Sequence, residues 1–540
     1  MDPTIHAFFS HSLASHLFRN IPILVLFNAF HPPARPSCPL FPFTTQRPSK
    51  RCIDTWRVRL DAASLGRAAS NLRKVLDMSQ CGQEGLAGAP RSGYVMVEVS
   101  QALEEVLSRT STKPAVRVSL QEVHVGDRMA SDVVAESPHP DFDASIKDGY
   151  AVVSEDEAGK RRLVGEVRCG HVVRVEEGQE EAGFVLGRGE VAYVTTGAPV
   201  PPGADAVVEV ESTVDQGDGY VYIARKVDKG NDIRKRGSDV QVGETVLSAG
   251  DAVGAAELAL LATLGVGHVD VHEKPVVAIL STGDELVEPN TNPLPRGKVR
   301  DCNRAMLKAL AQSAGAKVVD LGIAGDHAQA LDELMDAAAG AGADAVITSG
   351  GVSMGDRDLV KPMLQKRGNI HFGRLNMKPG KPCTFATVDL PATPGSISKQ
   401  MLCFGLPGNP VSSWATFHLF VLPMLRKMAG WFNPHLRRVH VKLAHSVKTD
   451  PVRPEYQRSV LEWMPPSDDM PCGGFLARGT GGQSSSRISS ARSANALLEL
   501  PAAKGYIPEG SIVSALLVDD LGSMPETKHR PMTSSSVVCQ

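Results

Sequence analysis

Lys378 and Lys381 put two ammonium groups three residues apart in Leu375-Asn376-Met377-Lys378-Pro379-Gly380-Lys381-Pro382, a loop whose prolines fix much of its backbone. A second stretch, Phe404-Gly405-Leu406-Pro407-Gly408-Asn409-Pro410-Val411-Ser412-Ser413, leads an apolar strand into a helix start. Asn409 suits the N-cap, and Pro410 suits the first helical position, where a missing N–H costs nothing. The amides and hydroxyls around Ser412 and Ser413 then face outward from a positive helix end. Ammonium groups facing such a terminus favour phosphate, pyrophosphate or a tetrahedral oxyanion. Taken singly, each stretch also reads as a solvated loop or a tight turn; the pair together points to an anion.

Two further stretches end buried strands. In Ser349-Gly350-Gly351-Val352-Ser353-Met354-Gly355-Asp356-Arg357-Asp358, Gly350 and Gly351 allow the backbone to approach a phosphate closely, and Asp358 enters the next helix. The GK[ST] ending of a Walker loop is absent. In Ser281-Thr282-Gly283-Asp284-Glu285-Leu286, two carboxylates reach the same edge. Asp284 or Glu285 could hold Mg²⁺ or another divalent cation between phosphates; a plain helix cap is the rival reading.

The elements that must position these groups follow from periodicity. Val97 to Arg109 has helical apolar spacing, whereas Gly149 to Val246 shows short Val-rich runs between Gly, Pro and acidic turns. Ala255 to Leu264 reads as a helix stopped by Gly265. From Val276 the rhythm becomes strand, helix, strand: Val276–Leu280, helix Asn303–Ala314, Lys317–Leu321, helix Ala328–Ala339, Asp344–Thr348, then Met401–Leu406 feeding the helix after Pro410. That alternation predicts a mostly parallel sheet covered on both faces, with ligands outside the carboxyl ends of its strands. Strands at Val439–Leu443, Val460–Trp463, Ala496–Leu500 and Ser511–Val518 predict a C-terminal β barrel. Pro391–Lys399 and Pro465–Gly482 read as flexible loops.

The expected architecture is multidomain α/β and β. Its parts are a disordered or targeting extension over 1–92, a discontinuous linker and helical domain over 93–148 and 241–273, a small β domain over 149–240, an α/β domain over 274–430, a β barrel over 431–520, and a disordered tail over 521–540. A chain of 540 residues is too long for one core. Its net charge of −3, with no long basic stripe, argues against a nucleic-acid binder, so any anion site must be local. Nine cysteines without a CxxC pair indicate neither structural zinc nor a disulfide framework, only thiols in a reducing compartment. Pro3 to Ile53 lacks Asp and Glu and carries five Arg or Lys, a loose likeness to a transit peptide. The run Ile21 to Phe30 is far shorter than the roughly 20 residues that span a bilayer. Translated upstream sequence with a working start at Met78, in a cytoplasmic protein, is the preferred reading, and a cleaved organelle-targeting peptide is its rival.

Together these segments resemble the E-domain family of molybdenum cofactor synthesis, which includes MoeA and the plant insertase and gephyrin E domains. The resemblance runs from about Val95 to Asp519. It rests on Asp148-Gly149-Tyr150-Ala151, Thr195 to Pro199, Arg236 to Asp239, Ser281 to Leu286, Ser349 to Asp358, Lys378 to Pro382 and Leu406 to Ser412. It implies a MogA-like central domain and molybdenum insertase activity, in which adenylated molybdopterin and molybdate give molybdenum cofactor and AMP with help from a divalent cation. It also implies that Lys378, Lys381, Pro382 and Ser412 bind molybdate with Arg458 and Ser490 from the barrel. Gly350, Gly351, Ser353, Asp358, Thr282, Pro407 and Asn409 would hold the pterin nucleotide, with Asp326 beside that pocket, and Lys378, Lys381, Asp358 and Asp326 would serve catalysis. The family dimerises, so Asp148, Thr196 and Asp239 would reach the site from the other subunit, with turns and caps as their plainer role. A separate molybdopterin adenylyltransferase would supply the substrate. The alternatives are a gephyrin-like scaffold anchoring receptors without turnover, and a molybdopterin adenylyltransferase.

Overall fold

The computed structural model describes residues 94–170, 185–352, 359–390, 400–468 and 471–519. All of them belong to the second of two units, Met1–Ala89 and Pro90–Gln540. The expected extension over 1–92, the loop 391–399, the tail over 521–540, and Ser353 and Asp358 lie outside the described residues.

Helix α1 (Val99–Arg109) buries Ala102 and Val106, one stripe of its apolar spacing. It starts two residues later than the spacing predicts because Val97 is used as strand: its amide donates to Arg374 O at 3.1 Å, and it bridges Leu375 in parallel. The Val-rich region forms a six-stranded sheet from β1 (Gly149–Val152), β2 (Gly159–Val167), β3 (Glu190–Val194), β4 (Ala206–Glu209), β5 (Thr213–Asp215) and β6 (Tyr220–Ile223), in the order β4-β1-β3-β2-β6-β5. Gly149 is obligatory there, since a Cβ would lie 2.0 Å from Val208 O. The chain on either side of this sheet shares a small core: Val123 and Met129 pack with Leu247, Val253, Val269 and Val271, and with Leu261 of α2 (Ala255–Thr263).

The central sheet comprises β7 (Val276–Thr282), β8 (Lys317–Ala324), β9 (Ala345–Ser349), β10 (Gly368–Phe372), β11 (Thr384–Asp389) and β12 (Gln400–Leu406), in the order β8-β7-β9-β12-β11-β10. The first four in that order are mutually parallel, as the rhythm predicts, while β10 and β11 add an antiparallel edge. β11 pairs with β12 from Thr384 opposite Gly405 to Asp389 opposite Gln400. Successive residues feed opposite cores. Ile279, Ile347 and Phe404 pack with Leu307 and Ala311 of α3 (Asn303–Ser313) and with the helical run that begins with α6 (Pro410–Thr416). Leu280, Val346 and Cys403 pack with Leu331 of α4 (Ala328–Gly340) and Leu364 of α5 (Val360–Arg367). The buried thiols of Cys383 and Cys403 are pushed far up by burial, as expected of inert packing residues.

The barrel is closed by β13 (Arg438–Leu443), β14 (Glu455–Met464), β15 (Gly474–Gly479), β16 (Ala496–Leu500) and β17 (Ile512–Leu517), in the order β13-β15-β14-β16-β17. β15 corrects the expectation of a flexible loop over Pro465–Gly482. Phe475 meets Trp463 ring-to-ring at 5.2 Å and Ala477 enters the core opposite Leu461, but flanking glycines hide this short alternation. Among the described residues no helix is long and apolar enough to cross a membrane.

Phe404 is fully buried between the sheet and α6, 4.9 Å from the Phe385 ring. Phe404→Ala should cost about 3–5 kcal/mol. Chemical denaturation followed by fluorescence and circular dichroism should show the earliest unfolding transition moving to lower denaturant; an unmoved transition would contradict this packing.

Candidate functional site

The carboxyl ends of β7, β9 and β12 meet at one edge. Gly350 and Gly351 follow β9 with φ of +92° and +63°. A Cβ on Gly350 would sit 2.5 Å from Thr282 O at the end of β7, and its amide donates to Leu406 O at 3.1 Å. Only glycine allows the three strand ends to close this tightly. The Thr282 hydroxyl is buried there with no hydrogen-bond partner among the described residues. Asn303, at the start of α3, donates to Ser349 Oγ at 2.7 Å and to Gly408 O at 2.8 Å, pinning two of the loops together. Nothing in its sequence context marked Asn303; its role follows from the α3 start falling between two strand ends.

Asn409 occupies the N-cap of α6 and Pro410 its first turn, as expected, but the Asn409 side chain makes no capping bond and is exposed. The Ser413 hydroxyl instead donates to Pro407 O and closes the turn. Ser412 is buried, and its hydroxyl bonds to none of the described residues. It is therefore the hydroxyl at this terminus left available to a ligand.

At the neighbouring edge, Asp326 N donates to Asp284 Oδ1 at 3.0 Å and Asp284 N donates to Asp326 Oδ2 at 3.3 Å. Two carboxylates are thereby fixed face to face across the ends of β7 and β8. The helix-cap reading of Asp284 and Glu285 fails, because the chain enters the short strand Leu286–Val287 rather than a helix. No group of three or more His, Cys, Asp or Glu that could hold a metal occurs among the described residues. A pair of carboxylates suits a cation that keeps most of its water and takes phosphate oxygens, which is how Mg²⁺ binds.

The lysine loop runs from β10 to β11 and is bonded to the barrel. Lys378 N donates to Pro454 O at 2.9 Å, and Tyr456 N donates to Lys378 O at 2.7 Å. The Lys378 ammonium lies 3.4 Å from Asp450 and 3.5 Å from Glu455, at the wall of a cavity of about 550 Å³ that Gln457 and Gln483 also line. Lys381 has no carboxylate partner among the described residues. Burial, and then the nearby Arg374 and Arg453, hold its pKa below the ordinary lysine value. An ammonium in a partly buried place beside two guanidiniums favours an anion, with Arg453 also paired to Asp450 at 3.7 Å. Pro382, half-buried, follows directly.

Arg458, fully buried on β14, donates from Nε and Nη2 to Ser490 Oγ at 3.2 and 3.1 Å. Gln483 braces its backbone, accepting from Arg458 N at 3.0 Å and donating to Arg458 O at 3.1 Å. Burial pulls the guanidinium down to a pKa of about 10, against the opposing field of Glu455. The loop that carries Gln483 also reaches α6, where Val411 N donates to Ser485 O at 3.1 Å. The structure thus brings the lysine loop, the α6 start and the Arg458–Ser490 pair to one domain junction. Arg374, Arg453, Asp450, Glu455 and Gln483 were missed in sequence, since isolated charges carry no spacing signal.

Asp148, Thr196 and Asp239 are engaged within the N-terminal β region. Thr196 N donates to Asp148 at 2.6 Å and its hydroxyl donates at 3.0 Å, which lowers the Asp148 pKa; Asp239 pairs with Arg234. No hydrogen bond or ion pair among the described residues links them to the strand ends.

Asn303→Ala removes both ties and should loosen the strand-end loops. We expect about tenfold weaker binding of a pterin nucleotide, on the scale of two lost hydrogen bonds, with little change in melting temperature. Calorimetric titration beside a melting curve checks this, and unchanged affinity would rule out a positioning role.

Comparison with known proteins agrees with this construction. Residues 97–265 match the model of the MoeA N-terminal region (domain I and II), 278–427 a probable molybdopterin binding domain, and 440–518 the MoeA C-terminal region (domain IV). Relatives include "Gephyrin" of Dictyostelium discoideum, 38% identical over 82% of this chain and 65% of its own length. "Molybdenum cofactor synthesis protein cinnamon" of Drosophila melanogaster is 38% identical over 67% of this chain and 57% of its own length. The chain thus spans less than two thirds of those two proteins. It covers 78% of the "Molybdopterin molybdenumtransferase" of Haemophilus influenzae, at 35% identity over 62% of this chain. The crystal structure of the molybdopterin biosynthesis MoeA protein of Pyrococcus horikoshii superposes with a TM-score of 0.64 at 28% identity, covering 79% of this chain and all of that one. With three consecutive domain models matched in order, this chain belongs to the MoeA family of molybdopterin molybdenumtransferases.

Proposed function

We propose that the chain inserts molybdenum, taking molybdate and adenylated molybdopterin to molybdenum cofactor and AMP. The observation that carries this reading is the junction at Lys378, where the barrel strand holding Arg458 is hydrogen-bonded to the lysine loop beside α6. Molybdate is a tetrahedral dianion, and the Lys381, Arg374 and Arg453 cations would offset its charge while the Ser412 hydroxyl donates to one of its oxygens. Lys378, balanced by Asp450 and Glu455, would complete the cradle by turning one N–H to the anion, and Arg458 with Ser490 would close its barrel side. The glycine turn at Gly350 and Gly351, with Thr282, Pro407 and Asn409, would receive the pterin nucleotide, together with Ser353 and Asp358.

A divalent cation would neutralise the pyrophosphate charge that grows as the adenylate bond breaks. Asp284 and Asp326 would hold it, with Glu285 adjacent. No protein nucleophile is needed, because molybdate or the dithiolene can attack. The same reading includes a cytoplasmic homodimer, fed by a molybdopterin adenylyltransferase, in which Asp148, Thr196 and Asp239 serve a second copy's site.

Lys378→Ala and Lys381→Ala should each lower molybdate-dependent AMP release about tenfold to a hundredfold with the fold intact, the scale of one charged hydrogen bond. Unchanged AMP release and cofactor yield in both variants would sink the assignment. Arg458→Lys keeps the charge but loses the forked donors, so molybdate use should fall while pterin-nucleotide binding holds. Equal loss for the two ligands would make Arg458 structural.

A pH profile tests Lys381 further. Its ammonium is needed charged and its pKa lies below the ordinary lysine value, so the apparent molybdate affinity should fall on the alkaline side before an ordinary lysine would titrate. Arg374→Ala removes one repelling neighbour and should move that limb to higher pH. A limb that does not move would exclude coupling between the two residues.

A further inference from the structure

A second cationic place lies in a cleft of about 970 Å³ between the core around α2, the central domain and the end of the barrel. Leu310 and Ser313, at the far end of α3, are among the residues lining it. Because α3 is 11 residues long and begins at Asn303, the cleft stands roughly 16 Å along the helix from the strand-end site.

Trp431 carries one guanidinium 3.7 Å from its ring centroid, from Arg128, and another at 4.6 Å, from Arg426. Arg437 joins them at the exposed lip. No ion pair engages any of the three arginines among the described residues; Arg128 donates to Gly250 O at 3.3 Å and Arg426 to His435 O at 3.2 Å. The Arg128 Nε is buried without a hydrogen-bond partner among the described residues. Of the carboxylates lining the cleft, Asp127 is held by Lys274 at 3.3 Å. Burial and mutual repulsion lower the pKa of Arg426, and burial does so for Arg128 with Asp251 opposing and Arg437 adding. Cation–π contact orients such groups without neutralising them. Phe432, 95% exposed at the rim, supplies a free aromatic face.

We propose that this cleft is a binding site for a phosphate group, held by the forked donors of Arg437, Arg128 and Arg426 and separate from the strand-end site. Guanidinium forks match phosphate oxygens two at a time, and the cleft has room for more than the phosphate itself. The phosphate is either free or the monoester end of a nucleotide whose base covers Phe432.

The test is calorimetric titration of the full chain with inorganic phosphate at low ionic strength, repeated with adenosine monophosphate. Arg437→Glu is the informative variant, because that side chain is exposed and its loss leaves the Trp431 stack in place. It should weaken phosphate binding about tenfold or more, as reversal of a contacting charge implies, while Lys378→Ala/Lys381→Ala leaves this binding event unchanged. Adenosine monophosphate binding tighter than phosphate, with the difference erased by Phe432→Ala, would support the site and identify a nucleotide. Equal affinities would support the site with free phosphate as its ligand. No saturable phosphate binding, or binding that the lysine variant abolishes and Arg437→Glu spares, would overturn the proposal. Both failures can occur with the insertase reading intact, since that reading is judged on molybdate-dependent AMP release.

Discussion

The two backbone hydrogen bonds on either side of Lys378, to Pro454 and from Tyr456, are the constraint on which the rest of the site depends. They convert a loop at the edge of the central sheet into an added rung against the first residues of β14. Buried main-chain bonds have little geometric freedom, so the barrel and the lysine loop cannot move independently. Arg458 lies three residues along the same strand, and its position relative to the loop is inherited from that rung. Domains joined only by side-chain contacts would leave such a distance to the mobility of an interface.

Electrostatics at the junction follow a division of labour. Lys378 is balanced by two carboxylates, and Arg458 is enclosed by hydroxyl and carbonyl oxygens, so each is stable without a ligand. Lys381 has no balancing carboxylate among the described residues, and two arginines raise its energy further. A site whose cations were all paired would have little left to attract an anion, and one with none paired would destabilise the fold. Mixing the two keeps the resting protein intact and leaves an unmet charge at one place.

Much of the fold was legible because the α/β rhythm is a property of buried periodicity. The helix around Leu307 and Ala311 and the apolar strands around Ile279 and Ile347 each present patterns that only one packing satisfies. β11 was not legible, since Thr384 to Val388 is buried throughout and offers neither alternation nor a helical stripe. β15 was hidden by flanking glycines. For the site, the lysine pair and the proline-bounded helix start could be found from local chemistry. Asn303, Arg374 and Arg453 could not, because their meaning lies in which distant segments they face.

The antiparallel course of β11 carries a consequence for how this chain tolerates change. Running against β12, it begins at Thr384 beside Gly405, near the strand ends, and finishes at Asp389 beside Gln400, at the opposite end of the sheet. In sequence, residues 391–399 separate these two strands and lie outside the described residues. Because the entropy of closing a chain segment grows only slowly with its length, a change in the number of residues between Asp389 and Gln400 leaves the register at Thr384 untouched. A one-residue slip in that register would shift Lys381 by about 3.3 Å and turn the side chains of β11 to the opposite face. The pairing of β11 with β12 therefore ties the Thr384 end to a single residue and makes no such demand on the length of sequence beyond Asp389.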